Sequence, residues 1–137
     1  MVDQAEALFE AMTGARHGLL GRLADSGRGE RVVLADLSDK AEPVRPSDLA
    51  ASVGLSNPRV SAALASLEAK GQVSRAIDPA NRRQVLVTIT GAGLQRAAAE
   101  RAEALRELRA VLVRMDDADV RDFTRLFARF TELAADE

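Results

Sequence analysis

The 137-residue chain contains no cysteine. Disulfides, thiolate zinc sites, iron–sulfur clusters and thiol redox sensing are therefore excluded. It has a single histidine, His17, so no multi-histidine metal site can be assembled. No metal and no cofactor are expected. No apolar run approaches the ~18 residues that a membrane span requires. The opening MVDQAEALFE lacks the basic start and apolar core of a signal peptide. The expectation is a cytoplasmic protein with no membrane partner. Neither sign of charge dominates, since 19 Lys and Arg against 21 Asp and Glu leave −2. A disordered charged tail and a uniformly basic nucleic-acid coat are both ruled out. Also missing are a nucleophile–base pair, a metal cluster and a phosphate-cradling glycine loop, so no enzyme is expected.

What the chain does have is 47% hydrophobic residues, the share of an ordinary single domain. Its charge is unevenly placed. Residues 45–90 carry six basic and three acidic side chains, a net of +3, while the flanking thirds carry −3 and −2. If any part meets a polyanion, it is this middle.

Apolar spacing predicts a helix over 4–24, with Leu8, Phe9, Met12, Leu19, Leu20 and Leu23 on one stripe. Gly14, Gly18 and Gly21 lie inside it, which suits close approach of another helix. A loop follows at 26–29, then a short helix over 30–38 and a polar connection over 39–45. Pro46 suits a first helical position and Asp48 its first turn, giving a helix that runs to Val53. Gly54 supplies a tight turn and Leu55 anchors it. Ser56 or Asn57 caps the next helix, Pro58 opens it, and Val60, Ala63, Leu64 and Leu67 form its buried stripe. Gly71 is its stop.

Two strands are predicted at 72–77 and 84–89, joined by an extended tip, Asp78-Pro79-Ala80-Asn81-Arg82-Arg83. Thr90 caps a long helix over 91–114, with a stripe of Leu94, Ala98, Leu105, Leu108, Leu112 and Met115. Asp116, Asp117 and Asp119 mark another helix start. On that helix Val120, Phe123, Phe127, Phe130 and Ala134 repeat at spacings of three and four, and three of the four Phe in the chain lie on this seam.

Helix, glycine turn, helix and β-hairpin is the order of a winged helix-turn-helix. The expected fold class is mainly α (α+β). A winged helix-turn-helix lobe over 30–90 is flanked by a helix within 1–29 and helices within 91–137, which together form a dimerisation domain. The second helix of the motif leaves Asn57, Arg59, Ser61, Ala62 and Ala65 on its free face. Small residues there allow close approach to base edges, and Asn57 and Arg59 can donate to bases or phosphates. Arg82 and Arg83, expected at the hairpin tip, suit phosphate contacts or entry into a narrow minor groove.

At these residues the sequence resembles the MarR family of bacterial transcriptional regulators. Pro46-Ser47-Asp48-Leu49-Ala50 is similar to that family's helix opening. Val60-Ser61, Leu64, Leu67-Glu68-Ala69-Lys70-Gly71 and Val73 are similar to its recognition helix and exit. Arg75 to Gly93, with Asp78-Pro79, Asn81-Arg82-Arg83 and Thr88-Ile89-Thr90, resembles its wing. Three positions depart from the family's pattern. Asn81 stands where many members have Asp, and Ala62 and Ser66 stand where many have Arg.

The resemblance implies a homodimer that binds double-stranded DNA at a pseudo-palindromic operator, as a repressor released by a small organic effector. Arg45, Ser47, Ser56, Asn57, Arg59, Ser61, Ala62, Arg75, Arg82 and Arg83 are then the DNA-binding candidates. Leu8, Phe9, Met12, Phe123, Phe127 and Phe130 are the candidates for the dimer interface, and His17 is the candidate for a ligand pocket. The alternative is a winged helix that contacts proteins and reads no DNA. The cation-poor recognition helix and the acidic overall balance motivate that alternative.

Overall fold

A computed structural model describes residues 3–15, 18, 21, 29–40 and 42–136. Its elements are α1 (Gln4–Gly14), α2 (Glu30–Lys40), α3 (Pro46–Val53), α4 (Asn57–Ala69), β1 (Val73–Asp78), β2 (Asn81–Ile89), α5 (Gly91–Leu112) and α6 (Asp117–Ala135). Among the described residues the chain is mostly helical, with one two-stranded antiparallel sheet. It divides into two compact units, Met1–Ala102 and Glu103–Glu137. Among the described residues no helix is long and apolar enough to cross a membrane.

Among the described residues, the hydrophobic core is drawn from 33–87. Val33, Leu34 and Leu37 of α2, Leu49 and Ala50 of α3, Val60, Ala63, Leu64 and Leu67 of α4, Val73 of β1 and Val87 of β2 make it up. The four α4 residues are those that the three- and four-residue spacing assigns to one face of a helix. Val44, Val53, Leu55, Ile89 and Ala97 pack around the edge. α1 and α6 bury none of their residues.

Local chemistry sets the element ends. Pro46 opens α3, and Gly54 closes it at φ 69°, with its N–H donating to the Ala50 carbonyl at 3.0 Å. A left-handed residue there turns the chain sharply enough for Ser56 to cap α4 two residues later. The Ser56 hydroxyl accepts from the Arg59 amide. Thr90 performs two tasks at the start of α5. Its hydroxyl accepts from the Gly93 amide at 3.2 Å and donates to the Gly71 carbonyl at 2.7 Å.

Several expectations need correcting. The first helix ends at Gly14 with Ala15 as its C-cap, while Leu19, Leu20 and Leu23 of the expected stripe lie outside the described residues. Among the described residues, nothing lies within 4 Å of where a side chain on Gly14 or Gly18 would begin. The stretch 39–45 is more than a polar connection. Val44 bridges Val87 by two backbone hydrogen bonds of 3.0 and 2.8 Å, adding a third short rung beside β2.

The hairpin is also tighter than its sequence suggests. β2 begins at Asn81, so the tip is Pro79-Ala80 alone. Arg82 and Arg83 are therefore on the strand, not at the tip. Finally, α5 meets the core through Gly93 and Ala97, whereas Leu94 is 45% exposed and Ala98 is exposed. The predicted stripe is displaced because Gly93, having no side chain, is what lets the helix approach the turn between α4 and β1.

Candidate nucleic-acid interface

α3 and α4 form the helix-turn-helix, and β1 and β2 form the wing. With Val60, Ala63, Leu64 and Leu67 turned into the core, Asn57, Arg59, Ser61, Ala62 and Ala65 are left on the exposed side of α4. The face is low in relief, and Arg59 is its one cation. Ser47 and Ser56 are exposed at the N-terminal ends of α3 and α4. α3 starts with no side-chain cap, whereas at α4 Pro58 has no N–H and the Arg59 amide is taken by Ser56.

The wing owes its shape to two local side-chain bonds. Asp78 Oδ1 accepts from the Ala80 amide at 2.9 Å, and Asn81 Oδ1 accepts from the Arg83 amide at 3.2 Å. The strands pair from Val73 with Ile89 to Ile77 with Val85, and then the register jumps to Asp78 with Asn81. Arg82, Arg83 and Gln84 have no partner across the ladder and form a bulge. A bulge redirects side chains away from the sheet. Arg82 and Arg83 are exposed, and among the described residues neither guanidinium has an ion-pair partner; the same holds for Arg59.

The other two arginine candidates are engaged. Arg45 Nε pairs with Asp48 Oδ2 at 2.9 Å. Arg75 makes a two-pronged contact with Glu68, Nε to Oε2 at 3.2 Å and Nη2 to Oε1 at 3.1 Å. That contact holds the Glu68 carboxyl below its ordinary range and the Arg75 guanidinium above its own. Arg75 thus ties the wing to the last turns of α4. His17, the candidate for a ligand pocket, lies outside the described residues.

Sequence reasoning missed a second polar constellation along the edge of α4, where Glu30 shares a hollow with Arg59, Ala62 and Ser66. Glu30 accepts from Ser66 Oγ at 2.5 Å, from Lys70 Nζ at 2.9 and 3.0 Å, and from Arg96 Nη2 at 3.0 Å. The Ser66 and Lys70 bonds, aided by Arg96, lower the Glu30 pKa to about 2. A folded pKa below the unfolded value stabilises the native state above the unfolded pKa, and this stability is lost as pH falls toward the folded one. Lowering the pH from 7 to 3 should therefore cost the native protein about 1–2 kcal/mol more than it costs Glu30→Gln, with solvent screening taken into account. Urea denaturation at both pH values measures the difference. Equal losses would show that Glu30 gains nothing from its partners.

Residues 29–85, which run from the start of α2 to the middle of β2, match the model of the MarR family. Over this stretch, under half of the chain, the sequence is similar to that family. No curated protein sequence matches the chain. Its fold is that of MarR-family transcription regulators. A mutant of MarR from E. coli superposes with a TM-score of 0.75 at 18% identity, over 96% of this chain and 98% of that one. FabT of Streptococcus pneumoniae, crystallised in complex with DNA, gives 0.69 at 18% identity, over 96% and 90%. The PcaV regulator of Streptomyces coelicolor, solved with its natural ligand, gives 0.69 at 17% identity, over 98% and 98%. The matched stretch holds every core residue named above except Val87, while the likeness in fold extends over nearly the whole chain.

Proposed function

We propose that the protein is a homodimeric transcriptional regulator that binds double-stranded DNA. It represses from a pseudo-palindromic site in the cytoplasm and is released by a small organic ligand. The observation that carries this reading is the exposed, small-residue face of α4 beside three arginines, Arg59, Arg82 and Arg83, that no described residue neutralises. The DNA complex of FabT and the ligand complex of PcaV support the two halves of the reading by similarity of fold. α4 enters a major groove with its N-terminal half, and the arginines of the wing bulge grip the flanking backbone.

A dimer follows from the apolar surface that one chain leaves uncovered. Phe9 is 67% exposed and Phe127 58%, and Leu8, Met12, Phe123 and Phe130 are exposed as well. On α6, Phe123 and Phe127 stack with ring centroids 5.8 Å apart, presenting a continuous aromatic surface. A second copy would cover these faces and place two recognition helices ~34 Å apart, one turn of DNA.

Selection of bound sequences from random duplex DNA tests the reading. An enriched inverted repeat is the expected outcome. A pool with no enrichment, from a protein that instead holds a protein partner regardless of salt, identifies an interaction module. A second prediction concerns assembly. Phe127→Glu should convert dimer to monomer in sedimentation and weaken operator binding about 100-fold or more, because the second half-site is then bound separately. A variant that remains dimeric would remove α6 from the interface.

A further inference from the structure

The ion cluster runs along the edge of α4, where Glu30 and Ser66 share a shallow hollow with Arg59 and Ala62, and it ties that edge to residues far from it in the chain. Arg96, in the second turn of α5, is at its centre. Its Nη1 donates to Gln72 Oε1 at 2.7 Å, its Nη2 to Glu30 Oε2 at 3.0 Å and its Nε to Glu100 Oε1 at 2.7 Å. Its side chain is only 23% exposed. The carboxylate it shares, Glu30, holds Ser66 and Lys70 near the C-terminal end of α4. One guanidinium therefore reaches α2, the turn before β1 and, through Glu30, the recognition helix.

Ordinary surface ion pairs contribute little to stability. A planar fork with three acceptors fixes direction, which a flexible ammonium cannot do. What is fixed here is the direction of α4 relative to α5. α5 is also the helix that leaves the lobe, continuing to Leu112 well past the last core residue.

We propose that Arg96 is a positioning residue for DNA recognition. Acting through Glu30, it locks α4 to α5 and so sets the half-site spacing that the dimer accepts. The proposal rests on the dimeric DNA-binding reading given under Proposed function. When two lobes are joined by helices outside them, a small tilt of α4 against α5 in each copy changes the separation of the two recognition helices. A loosened lock admits spacings that the native protein rejects, with the DNA-facing side chains unchanged.

The test uses the full-length protein and duplexes built on its selected site, with the half-sites one base pair closer, unaltered, or one base pair further apart. A duplex with a single half-site is the reference. The wild type should prefer its own spacing by about tenfold or more, given the register a two-fold dimer imposes. Arg96→Lys keeps the charge but loses the fork. It should reduce that preference to about threefold or less while single half-site affinity stays within about twofold. Glu30→Gln, which breaks the same lock from its other end, should do likewise.

If the wild type shows a spacing preference and both variants retain it, the proposal is wrong and the DNA-binding reading stands. A uniform loss on every duplex, or failure of both variants to fold, makes the cluster a structural staple and also overturns the proposal. If the wild type enriches no DNA, the dimeric reading itself has failed and the proposal falls with it.

Discussion

Gly93→Ala is expected to destabilise the protein by about 3 kcal/mol, lowering the thermal midpoint by about 10 °C. A β-carbon on Gly93 would begin 2.1 Å from the Gln72 carbonyl oxygen and 2.7 Å from Ile89 Cγ1. Neither neighbour can retreat cheaply. The Gln72 oxygen already accepts from the Thr90 amide at 3.1 Å, and Ile89 packs against the core. Relief would require α5 to lift off the turn, breaking the Thr90 bonds to Gly71 and Gly93 as it moved. Gly91, at the first position of the same helix, has open space around it, so Gly91→Ala is the control and should leave the midpoint within a few degrees. Circular dichroism on heating measures both. Equal midpoints for the two variants would mean that α5 does not sit on the turn as described.

The second large effect concerns DNA. Replacing Arg82 and Arg83 together by alanine should weaken binding about 100-fold. The plot of affinity against salt should also flatten, by about 3–4 in slope, because four phosphate contacts per dimer are lost. Stability should hardly change, since both side chains are exposed and neither pairs within the described residues. The combination is what discriminates: weaker binding at unchanged stability with a shallower salt slope. Unaltered affinity would remove the wing from recognition and leave α4 to bind alone. Asn81 bears on the same point. Its side chain holds the Arg83 amide and not the guanidinium, so the bulge is shaped without neutralising the cation it displays.

The parts of the fold that were legible in the sequence are those with a short period or a strong local signal. Val60, Ala63, Leu64 and Leu67 recur at helical spacing, and all four are buried. Ser56, Pro58, Gly54 and Thr90 act on neighbours a few residues away, so their capping and turning roles follow from the residues themselves. The wing was legible as a hairpin but not in detail. Pro79 suggests a long tip, whereas Asp78 and Asn81 bond their own backbone and start β2 early.

The first stripe of α5 was misread by one residue. Spacing favours Leu94, whereas the contact is made at Gly93, where an absent side chain leaves no hydrophobic signal. The Glu30 cluster was not legible at all. Its members are up to 66 residues apart, and polar contacts across such a separation leave no pattern along the chain. Arg75 was correctly placed on the wing, but its engagement with Glu68 depends on how the strand passes the end of α4.

The rung between Val44 and Val87 has a consequence for how such a lobe handles a duplex. Val44 lies two residues before Pro46 opens α3, and Val87 is the seventh of the nine residues of β2. The hairpin therefore has no hinge of its own, because swinging it would pull the entry to the helix-turn-helix along with it. Grip and reading head travel as one piece. Wherever the arginine bulge settles along the sugar–phosphate rail, it fixes which base pairs the helix beside it can inspect.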